Sequence, residues 1–267
     1  MKIGFLSDLH IMHNTNMIEE ALDVVVQAAK SAEIDKLFIA GDTSESYKIT
    51  LDFVDLLSGA GIDTYTIFGN HEYWSIDYEG AMELKHDKYI HGKVIPLIND
   101  YVVIGLDGMF DYSFVLDVDN YSNRRLPQDK HRLKRMGKST FDLNRNNIKR
   151  HKEVFDDMDN KLTNLLEKYK DKNIILMTHY VPSSEFILYT DYDDTWNANN
   201  AFMGSTKYQK LAEEYGVDKV IFGHTHNQFN KVINGVSYHC NPIGYKNYEF
   251  IEPFRERVKN RLKVFEI

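Results

Sequence analysis

Residues 1–10 read MKIGFLSDLH, an apolar run followed at once by two polar side chains. The run Ile3-Gly4-Phe5-Leu6-Ser7 predicts a buried strand, because short continuous apolar runs are typical of strands covered on both faces. Asp8 and His10 come directly after it, and both residue types bind metal ions in proteins. Strand ends are also where α/β sheets bind their ligands. The segment therefore predicts a sheet with a functional site at its carboxyl edge.

A strand-like run followed by polar residues recurs four more times along the chain. The five polar groups are Asp8-Leu9-His10, Gly41-Asp42, Gly69-Asn70-His71-Glu72, Thr178-His179 and Gly223-His224-Thr225-His226. Because strand ends at one edge of a sheet converge, we expect these groups to share one site. On extended strand ends Asp8 and His10 would face the same side, and so would His224 and His226.

The residue types in these groups indicate which metals would bind. Two aspartates, one asparagine and several histidines, with no thiolate, suit divalent Mn, Fe or Zn. Their number suits two ions bridged by a carboxylate. Two ions roughly 3.5–4 Å apart can hold a bridging hydroxide and clamp the attacking and leaving oxygens of a phosphoryl group. Glycines precede Asp42, Asn70 and His224 and predict sharp turns that aim these side chains inward.

Strand and helix patterns alternate over most of the chain and end in hairpins. Further strands are predicted at 36–40, 64–68, 101–106, 173–177, 219–222, 231–233, 236–239 and 262–265, and helices at 16–31, 51–57, 161–169 and 208–215. This order predicts an α/β fold with an antiparallel half, arranged as two packed sheets. A single domain over residues 1–267 is expected. Residues 108–160 break the pattern and are interpreted as a basic insertion or lid.

The composition excludes several classes of protein. The chain has 267 residues, 43% hydrophobic and 13% aromatic, which is too apolar for a disordered chain. Cys240 is the single cysteine, so no intramolecular disulfide can form. No stretch approaches the roughly 20 apolar residues of a membrane-spanning helix, and the N-terminus lacks a signal-like apolar core. We therefore expect a cytoplasmic protein without membrane association, and the oligomeric state stays open.

Charge is distributed unevenly along the chain. The net charge is −8, which disfavours attraction to long nucleic acids or anionic membranes. Residues 124–152, however, hold eleven Lys and Arg against two Asp, a local charge of +9. This basic segment has three interpretations: a solvated surface, a lid whose Arg124 and Arg125 bind substrate phosphate, or a patch that contacts RNA or DNA. The remaining charge of −17 opposes a long duplex but not a nucleotide or a short strand.

The five polar groups resemble a known family pattern. In order they match D-x-H, G-D, G-N-H-[DE], H and G-H-x-H, which is typical of calcineurin-like metallophosphoesterases. One group alone is a weak signal, but five in this order, from Asp8 to His226, are specific. The resemblance implies the metallo-dependent phosphatase fold, a four-layer α/β/β/α sandwich of two mixed sheets flanked by helices. It also implies a hydrolase that uses a dinuclear metal centre and a bridging hydroxide on a phosphomonoester or a nucleotide-like phosphodiester.

The resemblance also implies a role for each matching residue. The first metal would be held by Asp8, His10, Asp42 and His226, and the second by Asn70, His179 and His224, with Asp42 bridging both. His71 is not a ligand in this family; it would protonate the leaving group or stabilise the transition state. An imidazolium can supply such a proton near neutral pH. The catalytic residues implied are His71, Asp42 and Asn70.

Departures from subgroups of the family narrow the predicted activity. Serine/threonine protein phosphatases carry an arginine soon after the second group, whereas residues 41–47 here read GDTSESY. The DNA-repair nucleases are usually longer, with a capping domain for which this chain leaves little room. A small bacterial-type phosphatase or phosphodiesterase acting on a small phosphorylated substrate is therefore predicted. A nuclease acting on DNA or RNA, and a non-catalytic metal-binding scaffold of the same fold, remain as alternatives.

Several other residues near the predicted site have two interpretations each. Asp107 follows a strand and would either shape the site or form an ordinary turn. The aromatic side chains of the loop at 189–202 would stack on a base or sugar, or would pack the loop onto the body. Residues 240–245 are interpreted as a structural turn below the site. Surface or packing positions are expected for His13, His86, His91, His131, His151 and His239.

Overall fold

The computed structural model describes residues 1–114, 148–190, 197, 199–246 and 249–267. Arg124 and Arg125, with most of the basic segment and the middle of the 189–202 loop, lie outside these residues. The described residues form two β-sheets that pack face to face, with helices on both outer sides. Among these residues we find no helix whose length and apolar content would allow it to span a membrane.

The first sheet has four strands in the order β10-β1-β2-β3. The strands β1 (Lys2–Leu6), β2 (Lys36–Ala40) and β3 (Asp63–Ile67) run parallel, and β10 (Lys263–Glu266) pairs with β1 antiparallel. Each parallel step is made through a helix, as parallel pairing requires. The carboxyl ends of β1, β2 and β3 consequently lie side by side at one edge.

The second sheet has six strands in the order β4-β5-β6-β7-β9-β8. They are β4 (Lys93–Pro96), β5 (Tyr101–Leu106), β6 (Asn173–Thr178), β7 (Lys219–Phe222), β8 (Phe229–Ile233) and β9 (Val236–Cys240). The four central strands run parallel, whereas β4 and β8 are antiparallel to their neighbours. The predicted hairpin is confirmed, with β8 and β9 joined through Asn234-Gly235, both at positive φ.

Helices cover the outer face of each sheet. They are α1 (Ile11–Asn14), α2 (Ile18–Ser31), α3 (Tyr47–Gly59), α4 (Tyr78–Glu83), α5 (Ile148–Tyr169), α6 (Thr206–Glu214) and α7 (Phe254–Arg261). Buried side chains of α2, α3 and α7 pack on the first sheet, and those of α5 and α6 pack on the second. Short 3₁₀ turns lie at Glu72–Trp74, Ser184–Phe186 and Asn200–Phe202.

An apolar layer lies between the two sheets. Phe5 and Phe38 of the first sheet, and Val103, Ile175 and Met177 of the second, are all buried there. Two sheets joined in this way by their inner faces, each with helices outside, make the predicted four-layer α/β/β/α sandwich. The predicted fold class, α/β with two mixed sheets flanked by helices, is therefore confirmed.

Among the elements absent from the sequence-based prediction, β4 and α7 have a low apolar content. β4 is an edge strand whose four residues are all at least partly exposed. α7 reads FRERVKNR and buries only Phe254, Arg257 and Val258. Neither pattern has enough apolar residues at regular spacing to be recognised from the sequence.

The range 108–160, predicted as an insertion or lid, is partly built into the body. α5 begins at residue 148 rather than at the predicted 161. Its side chains Val154, Phe155 and Met158 are buried in the layer that covers the second sheet. Phe110 at the other end of the range is fully buried in the same layer.

Candidate metal centre

The five polar groups follow β1, β2, β3, β6 and β7 and meet where these strands end. Three groups come from the first sheet and two from the second. The residues brought together are Asp8, His10, Asp42, Asn70, His71, His179, His224 and His226. All seven predicted metal ligands thus lie in one cluster, although they are spread over more than 200 positions of the sequence.

One group of donors consists of Asp8, His10 and His226, whose ligand atoms lie within 4.8 Å of one another. Nε2 of His10 is 3.1 Å from Nε2 of His226, which is 3.3 Å from Oδ1 of Asp8. Oδ2 of Asp8 is buried and has no hydrogen-bond partner among the described residues. Buried nitrogen and carboxylate donors gathered around one point, one of them without a partner, fit a divalent cation.

A second group consists of Asp42, His179 and His224, again within 4.8 Å. Nε2 of His179 is 3.3 Å from Oδ2 of Asp42 and 3.2 Å from Oδ1 of Asn70. Nδ1 of His179 lies 2.9 Å from the carbonyl oxygen of Ala40, to which it can only donate. That bond leaves Nε2 as the nitrogen able to hold a metal, an arrangement typical of histidine ligands.

Asp42 lies between the two groups. Its Oδ2 is 3.3 Å from Nε2 of His179 and 3.9 Å from Nε2 of His10. It is buried, and its Oδ1 accepts a hydrogen bond of 2.9 Å from the backbone N–H of His71. One carboxylate therefore reaches both groups, as a bridging ligand must.

The two buried aspartates are ionised. Burial by itself raises the pKa of a carboxyl group, but the surrounding histidines outweigh burial here. His226, followed by His179, lowers the pKa of Asp8 to about 2. His179, followed by His71, holds the pKa of Asp42 well below its usual value. Two carboxylates buried this close together require positive charge between them.

The four histidines divide into two pairs. Burial lowers the pKa of His10 and of His224 to about 3, so both imidazoles are neutral. Burial acts on His179 and His226 as well, but Asp42 raises the pKa of His179 to about 9, and Asp8 with Glu249 raises that of His226 to about 10. In the metal-free protein, the protons on His179 and His226 balance the negative charge of the two aspartates. Metal cations would take over that balance when they bind.

Five of the seven candidate ligands adopt left-handed backbone conformations. Their φ values are 53° for Asp8, 41° for His10, 52° for Asp42, 69° for His224 and 55° for His226. The sequence-based interpretation, in which paired ligands face one side of an extended strand end, is therefore wrong. Each such residue costs of order 1–3 kcal/mol and persists only where its surroundings enforce it. Here backbone bonds between loops do so, among them Asp8 N–H to Gly41 O and His10 N–H to Asp42 O, both 3.0 Å.

The glycines before the ligands serve two different purposes. Gly41 has φ +82°, the sharp turn predicted from the sequence. Gly69 and Gly223 do not have positive φ. A Cβ at Gly69 would lie 2.2 Å from Oδ1 of Asp42, and one at Gly223 would lie 2.5 Å from Oδ2 of Asp8. At these two positions the missing side chain leaves room for the candidate ligands.

Glu72 organises the loops from below. Its buried carboxylate accepts hydrogen bonds from the backbone N–H groups of Asp42, Thr43, Ser44 and Gly69. Burial, followed by the charge of Asp42, raises its pKa to about 7. One side chain thus connects the loop after β2 with the loop after β3. The sequence pattern included Glu72 without indicating this role.

His71 lies beside the two groups. Its Nε2 is 3.7 Å from Oδ2 of Asp42, and its Nδ1 is 3.6 Å from Oε1 of Glu45. Burial opposes protonation, but the charge of Asp42 and the contact with Glu45 raise the pKa of His71 above its usual value. Its ring also packs against that of Trp74, with 3.9 Å between centroids and an angle of 31° between the ring planes. Sequence analysis missed Glu45, although it lies in the GDTSESY segment.

The segment after β9 supplies two more side chains that sequence analysis missed. The hydroxyl of Tyr245 is 3.0 Å from Nε2 of His71, and its ring stacks on His10 with 4.2 Å between centroids. Burial and the nearby aspartates raise the pKa of this hydroxyl, so it is neutral. Glu249 accepts a hydrogen bond of 2.8 Å from Nδ1 of His226 and so fixes which ring nitrogen faces Asp8. Residues 240–245, interpreted as a structural turn, therefore also reach the site.

Asp107, which follows β5, shapes the site from behind. It is fully buried and accepts hydrogen bonds from the backbone N–H of Phe68 at 2.9 Å and the hydroxyl of Tyr73 at 2.7 Å, and another from the hydroxyl of Tyr89. Its carbonyl oxygen accepts from the N–H of His179. Of its two interpretations, the structure favours the one in which it holds the neighbouring loops of both sheets in place.

A pocket of about 220 Å³ opens next to His224 and His226. Phe186, Ile187, Leu188 and Met203 give it apolar walls, and Asn199, Asn200 and Asn227 add amide groups.

Two aromatic residues of the 189–202 loop pack onto the body of the protein. The hydroxyl of Tyr189 donates to the carbonyl of Phe114 at 2.9 Å, and Phe202 packs against Phe110.

The solved structures that share this architecture include three from different organisms. Phosphopantetheinyl hydrolase of Mycobacterium tuberculosis matches with a TM-score of 0.67 and 16% identity, over 91% of this chain and 89% of its own. A dimetal phosphatase from Danio rerio has a TM-score of 0.55 and 12% identity, over 90% and 86%. GAP50, described as the anchor in the inner membrane complex of Plasmodium, has a TM-score of 0.50 and 13% identity, over 93% and 76%. At these identities the likeness shows the fold alone.

The family is shown by the sequence itself. No curated protein sequence matches the chain. A family model described as calcineurin-like phosphoesterase does match it, over residues 1–228, and this range contains all seven candidate ligands. This family depends on two metal ions, and the clustered histidines and aspartates fit that requirement. The chain therefore belongs to the calcineurin-like phosphoesterases, hydrolases that act on phosphoric ester bonds.

Proposed function

We propose that this protein hydrolyses a phosphoester of a small molecule, with two divalent metal ions held by the seven candidate ligands. The observation that carries the proposal is the position of Asp42, whose carboxylate reaches the donors on both sides of it. When bound, two ions would supply a water of lowered pKa and neutralise charge on the phosphoryl oxygens. Mn, Fe and Zn all suit these donors, and the choice among them stays a prediction.

His71 is the proposed proton donor to the leaving oxygen. Its Nε2 faces Asp42, and hence the place where the phosphoryl group would bind. Its raised pKa favours the protonated ring, and Glu45 lies on the opposite side, next to Nδ1. A well-placed general acid contributes about 10²–10⁴-fold to a rate. The side-chain oxygen of Asn70, 3.2 Å from Nε2 of His179, would complete the second group of ligands.

The size and lining of the pocket next to His224 and His226 favour a substrate with a small, uncharged leaving group. Its described lining combines apolar walls with three amide side chains and the carboxylate of Glu249, and contains no Lys or Arg. Its volume of about 220 Å³ is below the roughly 300–1,000 Å³ of typical ligand pockets. An alcohol that carries amide or hydroxyl groups would fit these walls better than a second phosphate would.

Other parts of the hypothesis stay predictions. Arg124 and Arg125 are still the candidate residues for binding substrate phosphate. The choice between a phosphomonoester and a nucleotide-like phosphodiester is open, and so is the cytoplasmic location. Action on DNA or RNA would require the basic segment at 124–152 to bind nucleic acid.

The first experiment compares p-nitrophenyl phosphate with bis-p-nitrophenyl phosphate. Protein stripped of metal is assayed alone and after addition of Mn, Fe or Zn. We expect turnover only after metal is restored, and the better substrate then identifies a monoesterase or a diesterase. Protein that binds two metal ions per chain but cleaves neither compound would contradict general phosphoesterase activity and would favour the scaffold alternative.

A further inference from the structure

The family match ends at residue 228, yet the chain beyond it reaches the candidate metal centre. Tyr245 and Glu249 both come from the segment between β9 and α7. Glu249 bonds to His226, and Tyr245 lies between His10 and His71. This part of the site therefore belongs to the chain's own C-terminal segment rather than to the matched pattern.

The Tyr245 hydroxyl occupies a specific position. It is 3.0 Å from Nε2 of His71, the nitrogen that also faces Oδ2 of Asp42 at 3.7 Å. The ring lies over His10 at 4.2 Å and near His226 at 5.1 Å, measured between centroids. The hydroxyl thus projects toward the space between His71 and the two groups of candidate ligands.

The backbone around Tyr245 is held from several directions. The N–H of Tyr245 donates to Glu249 at 2.9 Å, and the N–H of Gly244 donates to the carbonyl of Asp8 at 3.0 Å. The carbonyl of Gly244 accepts from Asn14 and from Arg257, both at 2.8 Å. Arg257 is fully buried, and it also donates to Asn14 at 2.6 Å. A side chain anchored in this way is preorganised, which is what an active-site donor requires.

We propose that the hydroxyl of Tyr245 is a second hydrogen-bond donor, beside His71, to an oxygen of the bound phosphoryl group. A phenol has one donor hydrogen and two lone pairs, so its contact with His71 leaves capacity for another bond. An oxygen that enters between the two groups would be within reach of both. The inference rests on the proposed function, because it assigns a residue to binding the same phosphoryl group.

The test is the variant Tyr245→Phe, which removes the hydroxyl and keeps the ring on His10. The matched control is Tyr101→Phe, which removes a hydroxyl bonded to Asp218 at 3.1 Å, at the opposite end of β5. Three quantities are measured: kcat/KM on the better aryl phosphoester, the affinity of Mn-loaded protein for inorganic phosphate by calorimetry, and bound Mn by mass spectrometry.

For Tyr245→Phe we expect kcat/KM to fall on the order of 10²-fold, as for loss of one preorganised donor to a developing oxyanion. The affinity for phosphate should fall about tenfold, as expected for loss of one bond to a charged group. Bound Mn should be unchanged, and Tyr101→Phe should match the wild type in all three measurements.

Each other result has a defined meaning. Wild-type kcat/KM and phosphate affinity in Tyr245→Phe would overturn the inference. Loss of Mn would overturn it too, since the hydroxyl would then support the metal ligands instead. If the wild type binds phosphate but hydrolyses no ester, the proposed function fails, and the change in phosphate affinity alone decides on Tyr245. A wild type without affinity for phosphate contradicts both.

Discussion

The two sheets bring different chemistry to the site. The first sheet carries both aspartates, with Asn70, His10 and His71, on the loops after β1, β2 and β3. The second sheet carries no carboxylate among the candidate ligands but three histidines, which are His179, His224 and His226. The negatively charged carboxylates thus lie on one sheet, and most of the histidine ligands, which can carry positive charge, lie on the other.

This difference indicates what holds the edge together. Away from the edge, apolar side chains such as Phe5 and Ile175 join the sheets. At the edge there are buried charges, which are stable only when they are paired. His179 and His226 provide the positive charge opposite the aspartates in the protein alone, and their raised pKa values show it. We infer that bound metals would replace protons as the link between the sheets.

The largest effect is expected for Asp42→Asn, because the carboxylate of Asp42 reaches both groups of candidate ligands. An amide keeps the shape but loses the charge, so occupancy of both metal positions should fall. Activity should fall by more than the roughly 100-fold that loss of a partner behind a metal ligand costs. Metal content per chain measures the first effect and kcat the second. The control is Asp55→Asn, whose carboxylate is exposed on α3. Full occupancy of both positions would show that Asp42 does not bridge.

His71→Ala should separate chemistry from metal binding. His71 lies on the first sheet but is not a predicted ligand, so metal content should be retained. Turnover should fall about 10²–10⁴-fold, the usual contribution of a general acid. His86→Ala removes a partly exposed histidine of the same sequence region and should have no effect. Unchanged turnover in His71→Ala would remove its catalytic role.

The meeting of the five polar groups at one edge could be predicted from sequence because each group follows an apolar run, and the resemblance to a family pattern then indicated the candidate ligands among them. The left-handed backbone conformations of Asp8 and His10 could not be predicted, because hydrogen bonds between separate loops impose them. Tyr245 was missed for the same reason. Its position depends on the contact between Asn14 and Arg257, which are 243 residues apart. Composition and periodicity carry no information about such a contact.

Stability should fall more steeply with rising pH in the metal-free protein than in the metal-loaded protein. In the metal-free protein, the pKa values of His179 and His226, about 9 and about 10, lie above the unfolded value of about 6.5. The folded state then binds more protons than the unfolded chain, so stability falls as pH rises from about 6.5 through these values. His10 and His224, at about 3, act only on the acid side of this range.

Bound metal should remove this loss of stability at alkaline pH, because the ligand nitrogens then hold the ion instead of a proton. Metal binding should also stabilise the folded state directly. Melting temperatures measured between about pH 6.5 and 9, in chelator and in Mn, would show it. We expect a falling Tm in chelator and a flatter, higher one in Mn. A Tm in chelator that is level or rises over this range would contradict protonation of His179 and His226.

The smallest effect is expected for Asp107→Asn, which weakens a link between the sheets that needs no metal. Asp107 on the second sheet accepts from Phe68 N–H, which follows β3 of the first sheet, and from Tyr73 and Tyr89. An asparagine amide has one oxygen instead of two. It can accept a hydrogen bond from the N–H of Phe68 or from the tyrosine hydroxyls, but the other donor loses its acceptor.

One unsatisfied buried donor costs about 1–3 kcal/mol, and the free energy of unfolding should fall by that amount. Asp218→Asn, which alters a partly exposed acceptor of the Tyr101 hydroxyl, is the control and should cost less. Denaturant unfolding and kcat/KM together distinguish the two interpretations of Asp107. If stability falls while kcat/KM is unchanged, Asp107 is only a structural turn. If kcat/KM also falls at temperatures where the variant is fully folded, then holding Phe68 and Tyr73 in place also positions His71, which lies between them in the sequence.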